Sequence, residues 1–251
     1  MADVAGESVV DALLRFAADQ LAGPYAPIAD RAARLARVTQ RAEELLRDAA
    51  PGSDRQLVAF RLVVRCTSDE SLLRHWFDSR QLPPGIVLDD ELGWQLVQRL
   101  AALDSDSSPI ETALTRDPTA AGRVAAARAR ATLGRPDTKE QAWRWLMQPS
   151  ELSAYELYAI ADGFFATEQT ELTKEYVSRY FAEIAATAGF RSGWALGQVA
   201  AAAYPWTAAT PDTLRLAEVA LAGSLPSPVR RALLDGTDRL RRAVRSLQRF
   251  G

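Results

Sequence analysis

His75 and Cys66 are the chain's single histidine and single cysteine. A zinc site built from side chains usually needs three or four ligands, drawn from histidine and cysteine with carboxylates filling in. The two residues stand on consecutive expected helices with no second histidine to join them, so His75 reads as an ordinary helix residue beside Trp76. No His-Glu-x-x-His string occurs, which excludes a self-contained zincin metalloprotease. Nucleophile motifs fare no better. Gly189-Phe190-Arg191-Ser192-Gly193 approaches Gly-x-Ser-x-Gly, but its serine comes one place late. It also lies between two expected helices, where a nucleophile elbow requires a strand, a turn and a helix. Gly189 and Ser192 therefore read as a C-cap and an N-cap. Gly134-Arg135-Pro136-Asp137-Thr138-Lys139 has a lysine at a suggestive distance from a glycine but lacks the second glycine of a phosphate cradle. There Asp137 or Thr138 is expected to cap a helix. The acidic pairs Asp89-Asp90, Glu43-Glu44 and Asp104/Asp106 fall at helix starts or on polar faces, where carboxylates are normally solvated.

Two clusters remain. Trp143, Trp145, Tyr155, Tyr158, Phe164, Phe165, Tyr176, Tyr180 and Phe181 crowd a short stretch, and packing between adjacent helices accounts for them better than a ligand groove. Arg239, Arg241, Arg242, Arg245 and Arg249 lie on the final expected helix, a solvated face with Asp235 and Asp238 nearby to offset it. The residues alone thus give no catalytic constellation and no metal site.

The elements that would position them are helices. The chain has 251 residues, 48% hydrophobic and 25% charged, an ordinary globular mixture that is too apolar for a disordered segment. Thirty basic against 32 acidic residues leave a formal charge of −2, so there is no whole-chain positive field to hold nucleic acid or an anionic membrane. The 30 basic residues include two lysines, Lys139 and Lys174, leaving 28 arginines. No intrachain disulfide can form, no signal peptide is legible at the start, and no apolar run is long enough to span a membrane; a cytoplasmic protein is the expectation.

Apolar residues recur at three-and-four spacing almost throughout. The pattern predicts helices at about 8–21, 27–49, 53–66, 68–77, 89–100, 108–115, 117–132, 137–147, 151–165, 168–188, 192–203, 211–222 and 226–249. Pro83-Pro84-Gly85 must interrupt them and is a candidate hinge. Thirteen helices on short connections form antiparallel pairs, and such pairs in series make an α-solenoid. The expected fold is therefore a single all-α domain over residues 1–251, an irregular HEAT/armadillo-like stack of helix pairs.

Several phrases resemble one family. Asp89-Asp90-Glu91-Leu92-Gly93-Trp94 resembles its acidic helix with tryptophan, and Asp117-Pro118-Thr119-Ala120-Ala121-Gly122 its Asp-x-Thr-x-x-Gly segment, here followed by Lys139 and Ala142-Trp143. Leu152 to Leu157, Ala161-Asp162-Gly163-Phe164, Tyr180-Phe181, Arg191-Ser192-Gly193 and Tyr204-Pro205 come in the same order. The stretch from Leu225-Pro226 through Leu233-Leu234-Asp235-Gly236 to Leu240 is similar to the family's end. Together they resemble the C-terminal helical domain of actinobacterial aminopeptidase N, related to that of the endoplasmic-reticulum aminopeptidases, most clearly over residues 55–250.

The resemblance implies a bowl of helix pairs that closes over the active site of a zinc-dependent aminopeptidase and contacts the distal part of longer peptides. By that resemblance the zinc belongs to a catalytic domain absent from these 251 residues, and the chain itself binds no cofactor and is inactive alone. Its partners are then that catalytic domain, in the same polypeptide, and peptide substrates, with no nucleic acid and no membrane. No individual peptide-contacting residue carries over. Arg123, Arg128, Arg179 and Arg191 are candidate contacts, from helix polarity and the affinity of guanidinium for carboxylate. A stand-alone helical-repeat protein binding a peptide or partner protein is the alternative. An independent enzyme with an unrecognised carboxylate or serine site, His75 and Ser192 being its first candidates, is a third.

Overall fold

A computed structural model describes Ala12, residues 16–104 and residues 106–250. Among the described residues there are twelve α-helices and no strand. They are α1 (Arg31–Asp48), α2 (Asp54–Cys66), α3 (Glu70–Ser79), α4 (Asp90–Leu103), α5 (Ser108–Arg116) and α6 (Ala120–Thr132). Then follow α7 (Pro136–Met147), α8 (Ala154–Phe164), α9 (Lys174–Glu183), α10 (Gly193–Ala202), α11 (Pro211–Ala222) and α12 (Ser227–Phe250). The helix expected over 8–21 lies largely outside the described residues; its end, Ala17–Leu21, is a π-helical turn.

The even-numbered helices form one continuous layer, each packed on the next from α2 to α12. The odd-numbered helices form a second layer: α1, α3, α5, α7 and α11 each pack on the even helix that follows, and α9 packs on α11. This is a two-layer α-solenoid. Helices in the even layer run the same way. Arg128 in α6 pairs with Asp162 in α8 at 2.7 Å, while Arg123, a turn earlier, bears on Glu156, near the start of α8. Gly197 meets Pro228 at the start of α12, and Tyr204, just past α10, lies against Gly236 further along.

Two hydrophobic clusters fill the molecule, one reaching from Ala18 to Leu133 and the other from Ala127 to Val244. Helix α6 is the wall between them, with Ala126 and Ala129 facing the first and Ala127 and Ala131 the second. Small residues on both faces let α4 and α8 approach closely. An added Cβ at Gly163 would stand 2.6 Å from the Arg128 carbonyl.

Several expected ends shift. The helix expected from 117 begins at Ala120: Thr119 caps it, its hydroxyl accepting from Gly122 N at 3.1 Å, and Pro118 stays outside. The helix expected from 68 begins at Glu70, capped by Asp69, whose carboxylate accepts from Leu72 N at 2.9 Å. Neither Asp137 nor Thr138 caps α7, because Asp137 turns to Arg135 and the Thr138 hydroxyl donates to the Arg135 carbonyl. The expected helix over 168–188 breaks into α9 between two 3-10 segments, Thr167–Gln169 and Ile184–Gly189. Ser53 and Thr210 cap α2 and α11, their hydroxyls accepting from Gln56 N and Thr213 N. The Pro83-Pro84-Gly85 loop is pinned: Gln56 donates to the Pro84 carbonyl at 2.9 Å and accepts from Gly52 N at 2.7 Å.

Candidate functional site

The phrases that carry the family resemblance resolve into helix junctions. Asp117, buried between α5 and α6, accepts from the Trp94 indole at 2.9 Å and from the Thr119 hydroxyl at 2.6 Å. These bonds, the hydroxyl's first, hold its carboxyl below the usual range. Gly122 has to be glycine here, since a Cβ would stand 2.0 Å from the Asp117 carbonyl oxygen. Asp-x-Thr-x-x-Gly is thus a joint locking α4 to α6. At the other end of the chain, a Cβ on Gly236 would meet the Tyr204 ring at 2.5 Å, and the Tyr204 hydroxyl bonds to Thr237 at 3.0 Å.

A second set of polar residues seals the opposite edge of the even layer, where helix C-termini present carbonyls without intrahelical partners. Arg99 donates to the Thr67 carbonyl at 2.8 Å behind α2 and forms an ion pair with Glu168. Gln169 donates to Thr132 at 2.7 Å and to Ala102 at 3.2 Å, ending α6 and α4. Lys139, fully buried, donates to Ala131 at 2.6 Å and to Phe164 at 2.9 Å, ending α6 and α8. The Tyr180 hydroxyl donates to Ala200 at 2.6 Å near the end of α10. Burial pushes the Lys139 ammonium down to about 7. Sequence reasoning missed Lys139, Arg99 and Arg31 as buried charges. The signal was present for Lys139, which shares the stripe of Ala142, Trp143 and Leu146 at i, i+3, i+4 and i+7.

Tyr155 in the first turn of α8 and Trp194 in the first turn of α10 are 74% and 75% exposed. Arg123 lies near Glu156, and Arg191 near Tyr158. Of the rest of the aromatic crowd, Trp145 and Tyr158 are half-buried against the core and the others lie in it, with Trp143, Phe164 and Tyr176 in mutual ring contact.

The structure does not gather the four candidate arginines into one cluster. Arg123 and Arg128 are exposed on α6, Arg128 paired with Asp162. Arg179 belongs to the odd layer, held by Glu140 at 3.0 Å and Glu183 at 3.1 Å and stacked on Tyr176. Arg191 is buried and donates to the Leu146 carbonyl at 3.0 Å. His75 is exposed on α3, whereas Cys66 is buried, its thiol pushed up to about 12 by that burial. Ser192 precedes α10 without a side-chain capping bond. Among the described residues no three of His, Cys, Asp and Glu come together to hold a metal ion, and no helix is long and apolar enough to cross a membrane.

The class these features define is an all-helical, two-layer solenoid domain with sequence signatures at its interhelical joints. The chain belongs to the ERAP1-like C-terminal domain family, which it matches over residues 8–242. It is also similar to an aminopeptidase N of Streptomyces lividans, 34% identical over 238 residues. That alignment covers 93% of this chain and 27% of the relative, so the chain spans about a quarter of the length of the protein it matches.

Proposed function

We propose that this chain is the accessory C-terminal domain of a zinc-dependent aminopeptidase N, closing over the active site to complete a peptide chamber and touching the distal part of longer substrates. The observation that supports it most is the alignment itself, which runs through nearly all of this chain and only 27% of an aminopeptidase N. In this reading the zinc sits in a catalytic domain of the same polypeptide, the enzyme is cytoplasmic, and the helix pairs stack in a HEAT-like bowl. The domain's own contribution is shape and charge. Arg123 and Arg128, exposed and a little over a turn apart on α6, are the best placed of the four arginines to draw a peptide carboxylate.

An antibody raised against the domain tests this on a lysate of the source organism. The expected result is one band far larger than 27.4 kDa, with aminopeptidase activity following it through purification. A band at the size of this chain alone would overturn the proposal.

A further inference from the structure

Arg31, the first residue of α1, is only 6% exposed, and its hydrogen bonds all go to neutral acceptors. Nε donates to the Ala26 carbonyl at 3.3 Å, Nη1 to the Thr170 hydroxyl at 3.3 Å and Nη2 to the Thr207 carbonyl at 2.9 Å. A guanidinium carries five N–H donors, so two have no acceptor among the described residues. The carboxylate that bears on Arg31 through space is Glu168, and Glu168 is bonded to Arg99. Among the described residues none is in ion-pair contact with Arg31. Burial draws its pKa down from the ordinary arginine value. A buried cation whose nearby carboxylate is already bonded to another guanidinium is only partly compensated, and structures normally pair buried charge directly.

The same side chain forms part of the wall of an open cleft of about 290 Å³, otherwise lined by Ala26, Pro27, Ile28, Ala209 and Leu247. Arg31 is the one charged residue of that lining, and the other five are apolar. One charged group on an apolar concavity is the usual arrangement of a small-ligand site, where the polar contact orients and the walls supply burial.

We infer that this cleft binds a small carboxylate with a compact apolar body, the carboxylate taking the unspent Arg31 N–H groups and the body resting on Ile28, Pro27, Ala209 and Leu247. A phosphate would find the charge but waste the apolar wall, and a neutral amide would leave the charge uncompensated. The site is distinct from the exposed face of α6, and it does not depend on the chain being part of a peptidase.

The test uses the whole chain and two isosteres, isovalerate and isovaleramide, titrated at millimolar concentrations while the Arg31 Nε–H signal is followed by NMR. N-acetyl-leucine separates a free acid from the same group at a peptide end. The expected result is saturable binding of at least one of the two carboxylates, with the amide weaker by about tenfold or more. Arg31→Gln should lose that binding. Because Arg31→Gln also removes structural bonds, Leu247→Trp, which fills the cleft and leaves Arg31 in place, should lose it as well with an unchanged circular dichroism spectrum. Equal response to acid and amide, no saturation by either acid, or full binding in Leu247→Trp would overturn the inference.

Discussion

The Lys139 ammonium lies 2.9 Å from the Phe164 carbonyl oxygen and 5.3 Å from the centre of the Phe164 ring, so one side chain both closes the end of α8 and packs on its last residue. Its other bond goes to Ala131 in the last turn of α6. Helix C-termini carry partial negative charge, and Lys139 therefore joins two of them with a single buried donor. The alternative, a pair of open carbonyls at a buried junction, would cost about 1–3 kcal/mol for each unsatisfied group.

Stability should rise with pH around this residue. Burial places the native Lys139 at about 7, against 10.5 for the exposed amine. Below pH 7 both states hold the proton and nothing changes. Between the two values the unfolded chain binds a proton that the native one has released, so unfolding becomes harder as pH increases, by up to about 1.4 kcal/mol per unit. Cys66 works the other way only above its unfolded value of 9.0, since its native thiol is pushed up to about 12. Urea unfolding from pH 7 to 8.5 should therefore show a gain of roughly 1–2 kcal/mol, and Lys139→Met should flatten it. A slope retained in that variant would assign the effect to another group.

The joint at Asp117 predicts a coupled pair of losses. Asp117→Ala strands the buried Trp94 indole N–H and removes the Thr119 partner, which should cost about 2–3 kcal/mol. Gly122→Ala forces a Cβ to within 2.0 Å of the Asp117 carbonyl oxygen and should cost a similar amount by displacing the same loop. Because both act through the Asp117 loop, the double variant should lose less than the two together, by about 0.5 kcal/mol or more. Strict additivity in denaturant melts would show the two residues to be independent.

Periodicity was enough to place α2, α11 and α12 nearly to the residue and the start of α4, which runs on to Leu103, three residues past its expected end. It failed over 168–188, where a 3-10 turn ending at Gln169 stands apart from α9 and the Gln169 side chain reaches the ends of α4 and α6, a tertiary demand with no local trace. The odd and even layers were legible as pairs, but their order in space depends on the alanines of α6 and on Gly163, and small residues are silent in a hydrophobicity pattern. Buried charges were misjudged for a related reason. Arg31 falls in register with Leu35, Val38 and Ala42, yet charge normally argues for the solvent side. The candidate arginines were chosen by helix polarity alone, which cannot tell that Arg191 turns inward to Leu146.

Glu168 is the carboxylate shared by two buried guanidiniums, bonded to Arg99 and acting on Arg31 through space. Glu168→Gln keeps the shape and removes the charge. Breaking a buried pair costs several kcal/mol; with the Glu168 side chain 30% exposed, about 1–3 kcal/mol is expected. Hydrogen exchange should quicken at 165–173 and at the start of α1 together, since both lean on this group. Exchange that quickens at only one of them would show that Glu168 does not couple the two.

The proposed role of α6 predicts a dependence on substrate length. Arg123 and Arg128 are exposed, and Arg128 has only the solvent-exposed partner Asp162, so Arg123→Ala and Arg128→Ala should change folding stability by no more than about 0.5 kcal/mol. In the full-length enzyme the same substitutions should raise KM severalfold for long peptides and leave it unchanged for a single-residue amide. Added salt should erase the difference between variant and wild type, because a charge acting across open solvent is screened within about 10 Å at 0.1 M. An equal rise for both substrates would place the effect at the catalytic centre, and no rise for either would remove these arginines from the peptide path.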